Sequence, residues 1–267
     1  TISGGTFQNG CSVTNNNTIS GGTFQNGCSV INNSNISDGT FEGTVTNEAD
    51  GKINGGTFAA DKTVTNKGII DSNGTFNGEV TNEGTIKKGT FAGEVTNLNT
   101  IEDGTFNGKV SNNQGGNITN GTFEQEVINN DGGGISGGTF KGTVSNGNGI
   151  ITGGTFAAGL SRNDGSVTGG VFNGDTGLTD AHHVTVTNGS LSQVNGVDPR
   201  NADGTTGTAW DLYSYKDTTV TITASTDIYS LNDQPIVDGN CKSSYDGSNK
   251  TIVKFTMPNR NVELGTG

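Results

Sequence analysis

Phenylalanine recurs through the first two-thirds of this chain at a nearly constant interval. It stands at Phe7, Phe24, Phe41, Phe58, Phe76, Phe91, Phe106, Phe123, Phe140, Phe156 and Phe172, with spacings of 17, 17, 17, 18, 15, 15, 17, 17, 16 and 16 residues. A repeat this short is one supersecondary unit that cannot bury its apolar face alone, so copies must stack and close a common core between them.

Other residues keep step with the phenylalanine. Five positions before it stands Ile (Ile2, Ile19, Ile36, Ile53, Ile86, Ile101, Ile118, Ile135, Ile151) or Val167, slipping one place earlier only at Ile70. Four or six positions after it stands Val (Val13, Val30, Val45, Val64, Val80, Val95, Val110, Val127, Val144) or Leu160, and two residues later an Asn follows, from Asn15 to Asn146. In the Leu160 coil that Asn arrives one residue late, at Asn163. The unit is Ile-x-x-Gly-Thr-Phe, a corner, Val-Thr-Asn and a second corner. Its alternation and β-branched residues predict short strands, and helical spacing is absent. Length varies only at the corners. The expected fold is all-β, a parallel β-solenoid of about eleven short coils over residues 1–182.

Composition fits an ordered repeat better than a thick globular core. Hydrophobic residues make up 28% and Gly numbers 46 against 3 Pro. Apolar residues at fixed intervals argue against the disorder that low hydrophobicity alone would predict. A net charge of −12 disfavours nucleic acid and anionic membrane surfaces as partners. No stretch has the length and apolarity of a membrane-spanning helix. The chain starts inside a repeat at Thr1 without an initiator Met, which reads as a mature product or excised fragment with further domains elsewhere in the same chain.

The first two coils, "TISGGTFQNGCSVTNNN" and "TISGGTFQNGCSVINNS", are nearly identical and bring Cys11 and Cys28 to the same coil position. Stacking sets their Cα atoms about 4.8 Å apart, within disulfide range. A disulfide and a pair of stacked thiols both remain open, and Cys241 has no partner in the sequence. The Asn file is expected to form a ladder, each amide bonding its copy one rung away.

Beyond about residue 180 the period ends. The only Trp (Trp210) and every Tyr lie in the remainder. "TTVTITAS" (Thr218–Ser225) and "TIVKFTM" (Thr251–Met257) alternate as strands, so residues 183–267 are expected to form a small antiparallel β module that also covers the apolar end of the last coil. "VTVTNGSL" (Val184–Leu191), "DTTVTITA" (Asp217–Ala224), "IVDGN" (Ile236–Asn240) and above all "FTMPNRNVEL" (Phe255–Leu264) resemble the divergent internalin-type B-repeat modules of bacterial surface proteins. That resemblance implies a β-grasp or Ig-like spacer in a multidomain cell-surface protein, with no catalytic residues to carry over. The solenoid text is similar to Gly-Thr-Phe repeats of large bacterial surface proteins.

Catalysis on a β-helix needs carboxylates converging beside a base or a cation. Glu79 with Glu94, one coil apart, and Asp38 with Asp103 are the candidate pairs; stacked carboxylates on a solvated face are their ordinary reading. The only coil arginine, Arg162, is far from both in sequence. His182 and His183 beside Asp180 supply too few ligands on one side for a metal, because neighbours in an extended segment point opposite ways. The corners "NEADGK", "NNDGGG" and "SRNDG" match no calcium loop. Ten outward Thr before Phe invite an ice-binding reading, but the residues two places on are neither flat nor uncharged. Trp210, Tyr213 and Tyr215 offer a glycan contact, although one aromatic cluster in a small module is ordinarily its core. The sequence thus points to a noncatalytic extracellular stalk or adhesin at a bacterial cell surface, without cofactor or metal. Its partner would be a host or cell-wall glycan or a matrix protein. The alternative is a carbohydrate-active β-helix enzyme or its glycan-binding subunit. Phe106→Asp, placing a carboxylate in the shared core, is expected to abolish the solenoid; a wild-type circular dichroism spectrum and melting curve would refute the inward assignment.

Overall fold

The structure is a computed structural model describing residues 1–113, 115–187, 189–228, 243–246 and 249–265. Cys241, Tyr229 and the segment Ile236–Asn240 lie outside the described residues. The chain is all-β, a parallel solenoid followed by antiparallel strands, with no helix among the described residues. It divides into two compact units, Thr1–Gly138 and Thr139–Gly267.

In Thr1–Gly138 each coil contributes strands to two parallel sheets. One sheet carries the Ile and Thr-Phe segments. Ile2 pairs with Ile19, Ile19 with Ile36, and the register continues through Ile101, Ile118 and Ile135; Phe24 pairs with Phe41 and Phe106 with Phe123 in the same way. The other sheet carries Val-x-Asn, with Val13 opposite Val30 and Val110 opposite Val127. The expected columns are therefore real columns, one residue type per file. From Ile19, Phe24 and Val30 onward their side chains are buried.

The phenylalanine rings stack almost parallel. Phe91 and Phe106 have centroids 4.8 Å apart and planes 7° from parallel, and Phe106 and Phe123 repeat this at 4.7 Å and 6°. This is the strand spacing, wider than ring contact distance, so the rings slide past one another into the offset arrangement that their quadrupoles favour. A glycine makes room. Gly104, two residues before Phe106, has φ of +141°, and a Cβ there would come within 3.2 Å of the ring of Phe106. The left-handed bend brings the backbone over the ring edge, where only hydrogen fits.

The asparagines form the ladder that their spacing predicts. Asn82 Nδ2 donates to Asn97 Oδ1 at 2.7 Å, Asn97 to Asn112 at 2.7 Å, and Asn112 to Asn129 at 2.8 Å. Each amide also donates to corner carbonyls, Asn97 to Asn99 O at 3.0 Å and to Asn117 O at 3.4 Å. The amides are fully buried from Asn32 to Asn129, and all donate in one direction along the chain. An inward polar column is stable here because each copy satisfies the next.

The one slipped coil is absorbed by a local bulge. Ile69–Phe76 is eight residues long where Thr85–Phe91 has seven. The extra residue, Ser72, turns inward and is fully buried, and its Oγ accepts the Gly74 N–H at 2.8 Å. In register beyond it are Thr75 with Thr90 and Phe76 with Phe91.

Thr139–Gly267 holds further coils and their closure. Phe140, Phe156 and Phe172 continue in register. A bulge after Val144–Leu160 sets Ser145 opposite Arg162 and returns Asn146 to Asn163, which explains the late asparagine. The parallel order ends at Val171–Asn173, whose outer edge is taken by Leu212–Ser214 running antiparallel, Phe172 opposite Tyr213. His182–Thr187 lies on the far side of that strand and also pairs with Val262–Gly265. A four-stranded sheet of Leu191–Val194, Thr219–Ala224, Asn249–Thr256 and Ser243–Asp246 completes the unit. Ala157 and Val171 from the coils share one core with Leu212, Ile222, Phe255 and Leu264. The last rung is covered, as its apolar edge requires.

Asn97→Ala is expected to cost about 2–5 kcal/mol, because it strands the Asn112 acceptor and removes a donor from two corner carbonyls in a dry interior. Denaturant unfolding measures this, and a loss below about 0.5 kcal/mol, the ordinary range for surface substitutions, would mean that the ladder contributes nothing to stability.

Candidate functional site

The aromatic candidates lie where the antiparallel strands meet the last rung. Tyr215 turns its ring edge to Phe172, centroids 6.2 Å apart at 72°, ending the parallel stack with a T-shaped contact. It is 5% exposed, and Trp210 is 6% exposed. The Trp210 indole N–H donates to Val197 O at 3.0 Å. Both rings belong to the core. Tyr213, half-buried, faces the other way and lies flat on His183, centroids 4.5 Å apart and planes 13° from parallel. The three aromatics therefore do not share one face.

His183 Nε2 is 2.8 Å from Asp211 Oδ1, a partner that sequence reading did not find because 28 residues separate the two. His182 Nε2 lies instead 3.2 Å from Asn259 Oδ1, so adjacent histidines take different partners, as an extended segment requires. Asp211 also anchors the junction through its backbone, its N–H donating to Asn173 Oδ1 at 2.8 Å and its carbonyl accepting from Gly174 at 2.7 Å. A depression of about 240 Å³ opens beside this cluster, lined by His183, Thr185, Ser190, Leu191 and Trp210 among others. Among the described residues no three His, Cys, Asp or Glu side chains gather as metal ligands.

The carboxylate pairs are placed as follows. Glu79 and Glu94 are both exposed and stand one rung apart, each directly before paired valines. Glu94 Oε1 accepts from the Ser111 hydroxyl at 3.4 Å. Asp38 and Asp103 sit on coils separated by those of Ile53, Ile70 and Ile86. Each caps its own corner, accepting the N–H of Gly39 or Gly104 at 2.8 Å. Arg162 is paired with Asp164. Lys88 stands on the Ile86 coil, between those of Asp38 and Asp103 and next to the latter.

Cys11 and Cys28 are joined as a disulfide, their Cα atoms 4.6 Å apart and 17 residues separated in sequence. In chain-entropy terms a loop of this length stabilises by about 3 kcal/mol. The bond ties the coil of Ile2 to the coil of Ile19.

A second depression, of about 310 Å³, lies on the Thr1–Gly138 unit beside the Ser72 bulge. Ser72, Asn73, Lys88, Asp103, Thr90, Thr105 and Thr122 line it, over a floor of Gly89 and Gly104. Sequence reading missed it because its members are far apart along the chain; the slipped Ile70 was the available signal.

The Tyr215 hydroxyl is buried without a hydrogen-bond partner. Burial, and then Asp180 and Asp175, push its pKa up to about 12, above the ordinary value near 10. Its folded pKa is raised, so its contribution is complete below about pH 10 and is lost as pH rises from about 10 towards 12. Tyr215→Phe is expected to melt no lower than wild type at neutral pH, since it removes an unsatisfied hydroxyl, and to lose stability less steeply between those pH values. Parallel alkaline melting curves for the two proteins would contradict the assignment. No protein-family model matches the sequence, and neither the curated proteins nor the solved structures contain a match.

Proposed function

We propose that this chain is a noncatalytic part of an extracellular bacterial surface protein, a solenoid stalk or adhesive element followed by a β module that closes it. The observation carrying this reading is the strict separation of inside from outside in the coils. Ile, Phe, Val and Asn are repeated rung after rung in the core, while outside the Gly-Thr before the Phe the outward and corner positions vary in size and charge. Such a design keeps a constant scaffold under a changeable surface, which suits spacing and adhesion. The paired cysteines support an oxidising compartment, and the likeness of the C-terminal segment to surface-protein spacer modules supports the bacterial cell surface. The solenoid presents hydroxyl, amide and carboxylate groups outward, so its partner is a cell-wall or host glycan, or a matrix protein. Among the described residues no helix is long and apolar enough to cross a membrane.

The test is to incubate the full chain with neutral and acidic polysaccharides, following release of reducing ends, and in parallel to probe glycan and matrix-protein arrays. Binding without turnover is the expected result. Steady release of reducing ends that survives repurification would overturn the noncatalytic reading in favour of a carbohydrate-active enzyme.

A further inference from the structure

The depression at the Ser72 bulge gathers three kinds of polar group. Its hydroxyls are regularly spaced: Thr90 pairs with Thr105 and Thr105 with Thr122, so three outward Oγ atoms recur at the strand spacing along one wall. Its opposite wall carries both signs of charge on successive coils, Lys88 and Asp103. Two other lysines of this unit reach across to a neighbouring coil, Lys67 to Glu48 at 3.2 Å and Lys109 to Glu126 at 3.1 Å. Lys88 makes no such pair among the described residues, although Asp71 is its register partner. The Asp103 carboxylate uses one oxygen on the Gly104 N–H and leaves the other open. Finally, the inserted Ser72 turns into the core and leaves Asn73 exposed at the rim, adding an amide to the same wall.

We propose that this groove binds a neutral oligosaccharide laid along the stacking direction across the coils of Thr90, Thr105 and Thr122. The groups match that chemistry. A carboxylate oxygen accepts from sugar hydroxyls, an unpaired ammonium and an amide N–H donate to them, and threonine hydroxyls do both. Extended glycans and stacked coils are both linear repeats, so one chain meets a new threonine at each rung. An acidic glycan fits less well on a chain of net charge −12. With no aromatic platform, binding is by hydrogen bonds and is weak per site, and the affinity of an adhesin comes from many copies. This assignment rests on the adhesive reading above and gives it a site.

The experiment is titration of the full chain, by calorimetry and by ligand-observed NMR, with neutral hexasaccharides (β-1,4-linked glucose, N-acetylglucosamine and mannose), with hexagalacturonate and with calcium chloride alone. At least one neutral hexasaccharide is expected to bind, with little dependence on salt. Thr105→Val, Asp103→Asn and Lys88→Met, which keep side-chain size and the corner, are each expected to weaken binding by roughly fivefold or more with unchanged melting temperature. Thr40→Val, a matching substitution on a coil outside the depression, should leave affinity untouched. Silence across the neutral panel overturns the proposal while leaving the stalk reading intact, and so does binding confined to hexagalacturonate or calcium. Equal affinity in wild type and the three groove variants places the sugar elsewhere and overturns it as well. Turnover of a bound hexasaccharide that these variants weaken would keep the site and sink the noncatalytic reading.

Discussion

Everything in this molecule depends on one coil presenting to the next the same residue at the same place. The strands of a coil are two to eight residues long and pair only with those of neighbouring coils, so a lone coil cannot hold itself. A coil's single Ile, Phe and Val bury nothing until a neighbour covers them. In-register stacking supplies both at once, hydrogen bonds along every strand and a lid for every side chain. Once that constraint is accepted, the glycine beside each ring and the asparagine in each corner follow. The first must not obstruct the ring that stacks, and the second must have an identical partner above and below.

The constraint also explains why so much of the fold was legible in the sequence. Columns are sequence periodicity turned upright, so Ile19 over Ile36 or Asn82 over Asn97 needs no knowledge of the tertiary structure. Even the irregularities were visible, the slip at Ile70 and the delayed Asn163, although only the structure shows that each becomes a bulge. The site was far less legible. Its members belong to different coils at outward positions, where no periodicity disciplines residue choice. The joining of His183 to Asp211 and the separation of Tyr213 from Trp210 and Tyr215 arise from antiparallel pairing between distant segments, which local patterns do not encode. Asp38 and Asp103 looked alike in sequence because both cap a corner, and that shared local role is what the structure shows for them.

Ending a parallel stack is a separate problem from extending it. Another rung would only reproduce the open edge, so closure requires a change of grammar. Here the direction of the strand reverses at Leu212–Ser214, the aromatic contact turns from face to edge at Tyr215, and the amide column ends when Asn163 donates to Gly177 O at 2.8 Å. Each of the repeating interactions thus receives its own terminator within the same unit. The buried, unpartnered hydroxyl of Tyr215 is the imperfection left by that change.

The direction of the hydrogen bonds between coils has a mechanical consequence. In Thr1–Gly138 those bonds run along the stacking direction, so a chain pulled from one end is loaded one rung at a time, as a seam is peeled, and not all rungs at once, as two strands are sheared. Coils of 15 to 18 residues would each release about 50–60 Å of slack as they come away. Such a column yields in small, even steps at modest force and gives length without letting go. The Cys11–Cys28 bond keeps the loop between its two residues from joining the released chain.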